Sequence, residues 1–389
     1  MNTGPLVFSQ VIAHVPHWEF QRLAKKHVPA DRRRRFSAWD HFLALGFAQM
    51  TFRESLRDIE ACLGGQQNLR YQLGFRARVT RSTLARANEE RSWTLFAALA
   101  HKLIERARGL YVDEPHALDL PMPVYALDST LIDLSLALCP WANWTGTTAA
   151  VKLHVALDLR GPLPAFVTLT EASHADVLWL DDLPVEPGSF YVMDRGYIDF
   201  RRLRRLDEAG AFFVVRDRSD VKYCRVASHP VPPTGTVRSD QSIRLRGCVA
   251  RPNWPGLLRR VSLYDPEHSR WIVVWTNQWT LSATLIAELY RQRWQVELFF
   301  RWVKQTLRIR TFYGTSDNAV RVQLWSAIAL YLAIAITRKS LGLSTNLTTF
   351  VQVLSLHALS RLPINELFVT SNCAQKNAAV GEQLMLNHI

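Results

Sequence analysis

Four polar residues late in the chain are spaced to share one face of a helix. Tyr290, Arg293, Glu297 and Lys304 lie at offsets of 0, 3, 7 and 14. At roughly 100° per residue they fall within an arc of about 60°. Their neighbours Leu289, Val296, Leu298, Phe299, Phe300, Trp302 and Val303 spread over most of the remaining circumference. An apolar helix with one polar stripe is predicted to be buried, with the stripe facing an internal polar site. At about 1.5 Å per residue the stripe runs roughly 20 Å, long enough to follow several phosphates. A solvated face with i,i+3 and i,i+4 pairs has the same spacing, and Arg291, Gln292, Gln295 and Arg301 keep that alternative open. Two carboxylates lie upstream. Asp128 follows the apolar run Val124-Tyr125-Ala126-Leu127, where a carboxylate is costly to bury unless paired or bound to a cation. Asp194 follows Phe190-Tyr191-Val192-Met193, at the carboxyl end of a strand, where open sheets place their sites. Taken alone, either Asp reads equally well as a turn or cap residue.

Together these residues resemble a known pattern. The spacing Tyr-x2-Arg-x3-Glu-x6-Lys is similar to the YREK motif of insertion-sequence-4-family DDE transposases, with Tyr290, Arg293, Glu297 and Lys304 in register. Asp194-Arg195-Gly196-Tyr197 resembles that family's second-aspartate motif, and Asp128 in its strand resembles the first. Lys152-Leu153-His154 with Leu157-Asp158 resembles the strand that follows. WDHFLAL, SLRDIEACL and STLARANEERSW resemble the small helical domain that precedes many members. The resemblance implies an RNase H-like α/β catalytic domain with a β-rich insertion, preceded by an all-α DNA-binding domain. It further implies that Asp128, Asp194 and Glu297 hold two Mg²⁺ ions, with Mn²⁺ able to substitute, and that Tyr290, Arg293 and Lys304 hold DNA. Hard carboxylates suit Mg²⁺, and phosphodiester cleavage depends mainly on positioning and charge neutralisation. Family members expel DNA through a hairpin helped by a tryptophan of the insertion, for which Trp254, Trp271, Trp275 and Trp279 are candidates here.

The elements that must position these residues can be read from the pattern. Residues 1–110 show helical periodicity through Phe42, Leu45, Gly46, Gln49, Phe52, Leu56, Ile59 and Leu63, stopped at Gly64-Gly65. A second helix is predicted after Ser82, running to Ile104. From Val124 the period becomes that of strands: VYALDSTLIDLSL, AVKLHVALDL, PAFVTLTEAS, SFYVMD and AFFVVRD, with a helix over Phe200 to Ala209. Residues 218–275 are Pro- and Gly-rich with short strands and read as an insertion. Long helices are predicted over Ala283 to Leu307 and Val320 to Ser340. The expected domains are therefore 1–110 (helical, DNA-binding), 111–217 with 276–340 (catalytic), 218–275 (insertion) and 341–389 (C-terminal helical segment). Asp133, Asp158, Asp176 and Asp199 rank below Asp128 and Asp194, and His154 and His174 read as supporting groups.

Charge points to the partner. The 389 residues carry 47 Lys+Arg against 34 Asp+Glu, a net of +13, and 39 of the basic residues are Arg. Residues 1–110 hold 18 basic and 9 acidic residues, so this segment supplies +9 of the +13. The densest parts are Arg32 to Arg35 and the cluster Arg76, Arg78, Arg81 and Arg86. A helical domain docking on phosphates accounts for this, with Arg81 and Arg86 expected on DNA. Five scattered cysteines without a CxxC argue against structural zinc and for free thiols in a reducing compartment. The apolar run Leu324 to Ile336 reads as a buried core helix.

The expected protein is a cytoplasmic, nucleoid-associated DNA transposase without a membrane segment. It would bind an element's terminal inverted repeats and target DNA as a homodimer, cutting and then joining strands. Two other readings are a catalytically inactive DNA-end-binding regulator and a recombinase with Tyr290 as covalent nucleophile. The first has all three acids against it. The second lacks the Arg/His cluster such an enzyme needs.

Overall fold

The computed structural model describes residues 4–28, 36–112, 118–161, 163–232, 235–265, 269–306 and 312–368. The Arg32 to Arg35 run, Cys373 and the end of the expected C-terminal segment lie outside the described residues. Cys62, Cys139, Cys224 and Cys248 are free thiols. In chain order the helices and strands are α1 (Val7–Ile12), α2 (His17–His27), α3 (Ala38–Met50), α4 (Leu56–Gly65), α5 (Arg81–Glu90), α6 (Thr94–Tyr111), β1 (Val124–Leu134), β2 (Ala149–Asp158), β3 (Leu163–Glu171), β4 (Phe190–Met193), α7 (Phe200–Glu208), β5 (Phe212–Arg216), β6 (Tyr223–His229), β7 (Val237–Leu245), α8 (Ala250–Asn253), β8 (Leu257–Asp265), β9 (Arg270–Thr276), α9 (Ala283–Gln292), α10 (Trp294–Thr306), α11 (Asp317–Ser340) and α12 (Leu347–His357). They form two compact units: 1–110 with 137–141 and 302–389, and 111–136 with 142–301.

The helical unit is built around α11, which packs on α1, α3, α5 and α12. By length and composition α11 could cross a membrane, but 94% of its apolar window is buried in the protein. It is a core helix, as its sequence suggested. Two single helices expected from periodicity are each a pair. The first breaks after Met50, where Phe52 adopts a left-handed φ of 57° and Ser55 caps α4 by accepting from the Asp58 N–H. The second breaks at Arg91, whose extended backbone ends α5. Asn318 holds that break, donating to the Asn88 and Arg91 carbonyls at 2.7 Å each and accepting from the Trp93 N–H at 3.1 Å. Hydrophobic spacing continues through both breaks, so periodicity alone could not show them. Residues 302–340, expected beside the sheet, group with the N-terminal helices instead, because the apolar surface of α11 is buried against α3 and α5.

The sheet unit contains nine strands in the order β3-β2-β1-β4-β5-β9-β8-β7-β6. β1, β4 and β5 are parallel, β2 pairs antiparallel with β1 and β3 antiparallel with β2, and the remaining strands extend the far edge antiparallel. The half β3-β2-β1-β4-β5 is the RNase H-like arrangement, and β6 to β9 are the insertion, continuous with its sheet. Alternation sends Tyr125, Leu127, Tyr191, Met193, Phe213 and Val215 into a core with Trp179, Phe200, Leu203, Leu206 and Trp275. α9 packs against β4, β5, β7 and β8. A buried ion pair ties the insertion to the entry of α9. Arg259 grips Asp240 with two bonds, at 3.0 and 2.8 Å, and donates to the Gln278 and Leu281 carbonyls at 3.1 and 2.6 Å. Ser282, the next residue, caps α9.

Candidate active site

The site is assembled where the parallel strands end. Ala126 pairs with Val192 across β1 and β4, so Asp128 and Asp194 stand at one register level, two residues further along adjacent parallel strands. The period of two puts both on the side opposite Leu127 and Met193. The motif helix meets them there. Arg293 separates α9 from α10: its N–H bonds to the Tyr290 carbonyl and its carbonyl accepts from the Val296 N–H, both three residues apart, which tightens the helix by a local 3₁₀ turn. From that turn the Arg293 guanidinium donates to Asp128 Oδ2 at 3.2 Å and to Glu297 Oε1 at 2.5 Å. The predicted single helix is thus two segments, with Arg293 turned toward Asp128 and Glu297 exposed one turn further along.

The individual environments differ. Asp128 is largely buried, and loss of solvation lifts its carboxyl to about 6; Arg293 and the Ser129 N–H pull it down, while Asp194 and Glu297 push it up. Arg293 stays charged well above its ordinary range, because Tyr290, Asp128 and Glu297 outweigh its burial. Tyr290 is buried, and burial raises its phenol. A buried phenol that ionises late is a poor nucleophile, which counts against the covalent-tyrosine reading. Asp194 accepts from the Gly196 N–H at 2.5 Å. A Cβ on Gly196 would come within 3.1 Å of that carboxylate, a tight contact that a larger residue would relieve only by shifting the Asp194 side chain. Glu297 and Lys304 are exposed. Lys304, in the last turn of α10, belongs to the helical unit. Arg81 and Arg86 are exposed on α5, and Arg76 and Arg78 are exposed beside buried Leu73, Phe75 and Val79.

Among the described residues no three His, Cys, Asp or Glu side chains form a metal-ligating cluster. Arg293 stands between Asp128 and Glu297, one guanidinium bonding both carboxylates. The donor set nonetheless fits a divalent cation: hard oxygen ligands, one of them costly to keep charged without a nearby cation.

The lower-ranked acids separate clearly. Asp133 is exposed. Asp158 is held by Arg160, and Asp199 caps α7 while pairing with Arg202. Asp176 is different. It accepts from Ser129 Oγ at 2.7 Å and from Lys152 Nζ at 3.1 Å. A Cβ on Gly196 would lie 4.0 Å from its Oδ2. Asp176 therefore joins the segment after Asp128 to the turn after Asp194. Lys152, quoted only as part of a strand motif, was the available signal. His154 stacks on Trp179 and is pushed down to about 4 by burial, a neutral packing residue. Of the four candidate tryptophans, Trp254 and Trp275 are buried in the core, while Trp271 and Trp279 are exposed.

Comparison with known proteins settles the family. The description "Transposase DDE domain" matches residues 119–333, more than half of the chain. The chain belongs to the DDE transposase family. A domain of unknown function matches residues 3–76. A Sinorhizobium fredii protein described as a transposase, y4zB, is 35% identical over 217 residues, 55% of this chain and 60% of that protein. A Geobacillus stearothermophilus protein described as a transposase for insertion sequence element IS5377 is 33% identical over 242 residues, 61% of this chain and 63% of its own length. The chain thus spans about three-fifths of the length of these curated relatives. A solved structure of piggyBac transposase in a synaptic complex with hairpin DNA covers 90% of this chain and 77% of that chain, at 11% identity and a TM-score of 0.43.

Proposed function

We propose that this member of the DDE transposase family is a DNA transposase that binds the ends of an insertion element and performs metal-dependent strand cleavage and strand transfer. The observation that carries the reading is the shared register of Asp128 and Asp194, met by the Arg293–Glu297 turn. Asp128, Asp194 and Glu297 would hold the divalent metal, two Mg²⁺ in our reading, with Mn²⁺ as a substitute. A metal held by these residues would neutralise charge on the scissile phosphate and make the attacking hydroxyl or water more acidic.

The chain's own residues would do the rest. Arg293, released from the acids, can grip a phosphate with two parallel donors, and Lys304 can reach one as a point charge. Tyr290 walls the site and can donate one hydrogen bond. Arg81 and Arg86, with their exposed neighbours Arg76 and Arg78, would dock the helical domain on the terminal repeats. Of the candidate tryptophans, exposed Trp279 is the one to stack on a base, whereas exposed Trp271 already packs on Tyr264 and under Arg238. We read 1–110 as the end-binding domain, 218–275 as the insertion, and the working assembly as a cytoplasmic homodimer on DNA. Retention of all three acids speaks against the inactive regulator.

The test is incubation of purified protein with labelled element-end DNA and MgCl₂. Nicks with 3′-OH ends should appear, and they should vanish in Asp128→Ala, Asp194→Ala and Glu297→Ala while end binding persists. Cleavage surviving Glu297→Ala would show that another acid completes the site.

A further inference from the structure

Asp128 is held at both carboxylate oxygens. The Ser129 N–H donates to Oδ1 at 2.8 Å, and Arg293 donates to Oδ2 at 3.2 Å. A guanidinium and a divalent cation compete for the same carboxylate, whereas a neutral backbone amide does not. The Ser129 contact is therefore the one that can persist beside a metal, and whatever fixes Ser129 helps to fix Asp128. Ser129 is fixed from the other face of the sheet. The period of two turns its side chain to the side of Leu127, away from Asp128. There it stands beside His154, its partner across β1 and β2, a fully buried ring stacked on Trp179. The Ser129 hydroxyl donates to Asp176 Oδ1 at 2.7 Å. Lys152, on the same face of β2 as His154, donates to that same oxygen at 3.1 Å and to the His174 carbonyl at 2.7 Å.

The other oxygen of Asp176 faces the second acid's turn. A Cβ on Gly196 would lie 4.0 Å from Asp176 Oδ2, and the Gly196 N–H donates to Asp194 Oδ1 at 2.5 Å. One carboxylate thus bonds the residue after Asp128 and flanks the turn that holds Asp194. The Lys152 and Asp176 side chains are 13% and 34% exposed. An ion pair so placed adds little net stability, because desolvation offsets much of the attraction. Its connections suit a different task. We propose that Asp176, clamped by Lys152, is a pin that sets, through Ser129 and Gly196, the spacing at which Asp128 and Asp194 receive a divalent cation. Asp176, Lys152 and Ser129 are then positioning residues that act through the acids without touching the metal. This rests on the metal-dependent reading of the site.

The experiment compares full-length wild type, Ser129→Ala, Asp176→Ala, Ser129→Ala/Asp176→Ala and Asp128→Ala. Calorimetric titration with MgCl₂ and with MnCl₂, below the melting temperature of every variant, gives affinity, and thermal unfolding without metal gives stability. Removing an outer contact of a metal-holding group typically weakens metal binding by about 10- to 100-fold. Ser129→Ala leaves the Lys152–Asp176 pair in place, so it should melt close to wild type yet bind both ions about tenfold more weakly or worse. The double variant should bind no more weakly than Asp176→Ala, because both changes break one connection. Should Asp176→Ala fail to fold, Ser129→Ala carries the test by itself. Wild-type affinity in Ser129→Ala overturns the proposal, even if its melting temperature falls, since the pin would then serve stability alone. Losses that add in the double variant overturn it too, because Ser129 and Asp176 would act separately. Wild type binding neither ion in a manner dependent on Asp128 would instead defeat the metal reading, and the proposal with it.

Discussion

Arg293 bridges two acids on different elements, donating to Asp128 at 3.2 Å and to Glu297 at 2.5 Å. Two donors of one planar fork are needed to do this, and a lysine has no such fork. The same fork suits a phosphate once the acids turn to a metal. Arg293→Lys should therefore lower single-turnover cleavage by roughly 100-fold although charge is conserved, since small misplacements of reacting groups cost about that much. End binding by gel shift should stay within a few-fold of wild type. Wild-type cleavage in this variant would reduce the stripe to a surface feature.

The unusual carboxyl of Asp128 makes a stability prediction with a definite sign. Its ordinary value is 3.8, and burial lifts it to about 6 in the folded protein. Between those values the folded chain keeps a proton that the unfolded chain has released. The metal-free protein therefore loses stability relative to Asp128→Asn as pH rises from about 4 to 6, by at most about 3 kcal/mol, and no further above that. His41 and His154 are depressed by burial and act in the opposite sense over the acid range, so the comparison must be the difference between the two proteins. Denaturant titrations at several pH values supply it. A difference that stays flat from pH 4 to 7 would show that Asp128 is not desolvated in solution.

Much of this site was legible in the sequence, for reasons that also explain what was not. Asp128 and Asp194 could be found because an acid at the end of an apolar strand stands out, and the strands that carry them formed where alternation placed them. The stripe from Tyr290 to Glu297 followed from helical geometry alone. The bond from Arg293 to Asp128 did not, because it joins residues 165 apart and depends on a 3₁₀ turn that no spacing announces. Asp176 was ranked low because its contacts with Ser129 and Lys152 and its nearness to Gly196 appear only once the fold assembles them. The breaks at Phe52 and Arg91 hide in sequence because the apolar rhythm continues through them.

The arginines on and beside α5 offer a test of where end binding resides. Arg81 and Arg86 are exposed on a helix whose Leu84, Ala87 and Asn88 are buried, so their removal should leave the fold intact. If each neutralises one phosphate, the double variant Arg81→Ala/Arg86→Ala should flatten the plot of log affinity against log salt by about 2 units of slope. Gel shifts with element-end DNA from about 50 to 200 mM salt would measure it. An unchanged slope would move the contact surface away from α5. Weaker binding with wild-type slope would point to base contacts rather than phosphates.

The ion pair between Arg259 and Asp240 tests whether the insertion supports the motif helix. Both side chains are almost fully buried, with 6% exposure each, so neither can fall back on water. Arg259→Met would strand the Asp240 charge and remove donors from the Gln278 and Leu281 carbonyls just before the Ser282 cap of α9. Breaking one partner of a buried pair typically costs about 3–5 kcal/mol, whereas replacing both by apolar residues is often nearly neutral. Arg259→Met should therefore destabilise the sheet unit by that amount, and Arg259→Met/Asp240→Leu should recover much of it. Cleavage separates stability from positioning. The double variant restores an apolar contact between β7 and β8 but leaves both loop carbonyls without Arg259. It should fold well and still cleave more slowly than wild type, because α9 carries Tyr290 and leads directly into Arg293. A double variant that regains both stability and full cleavage would show that the insertion braces the sheet without setting the motif helix.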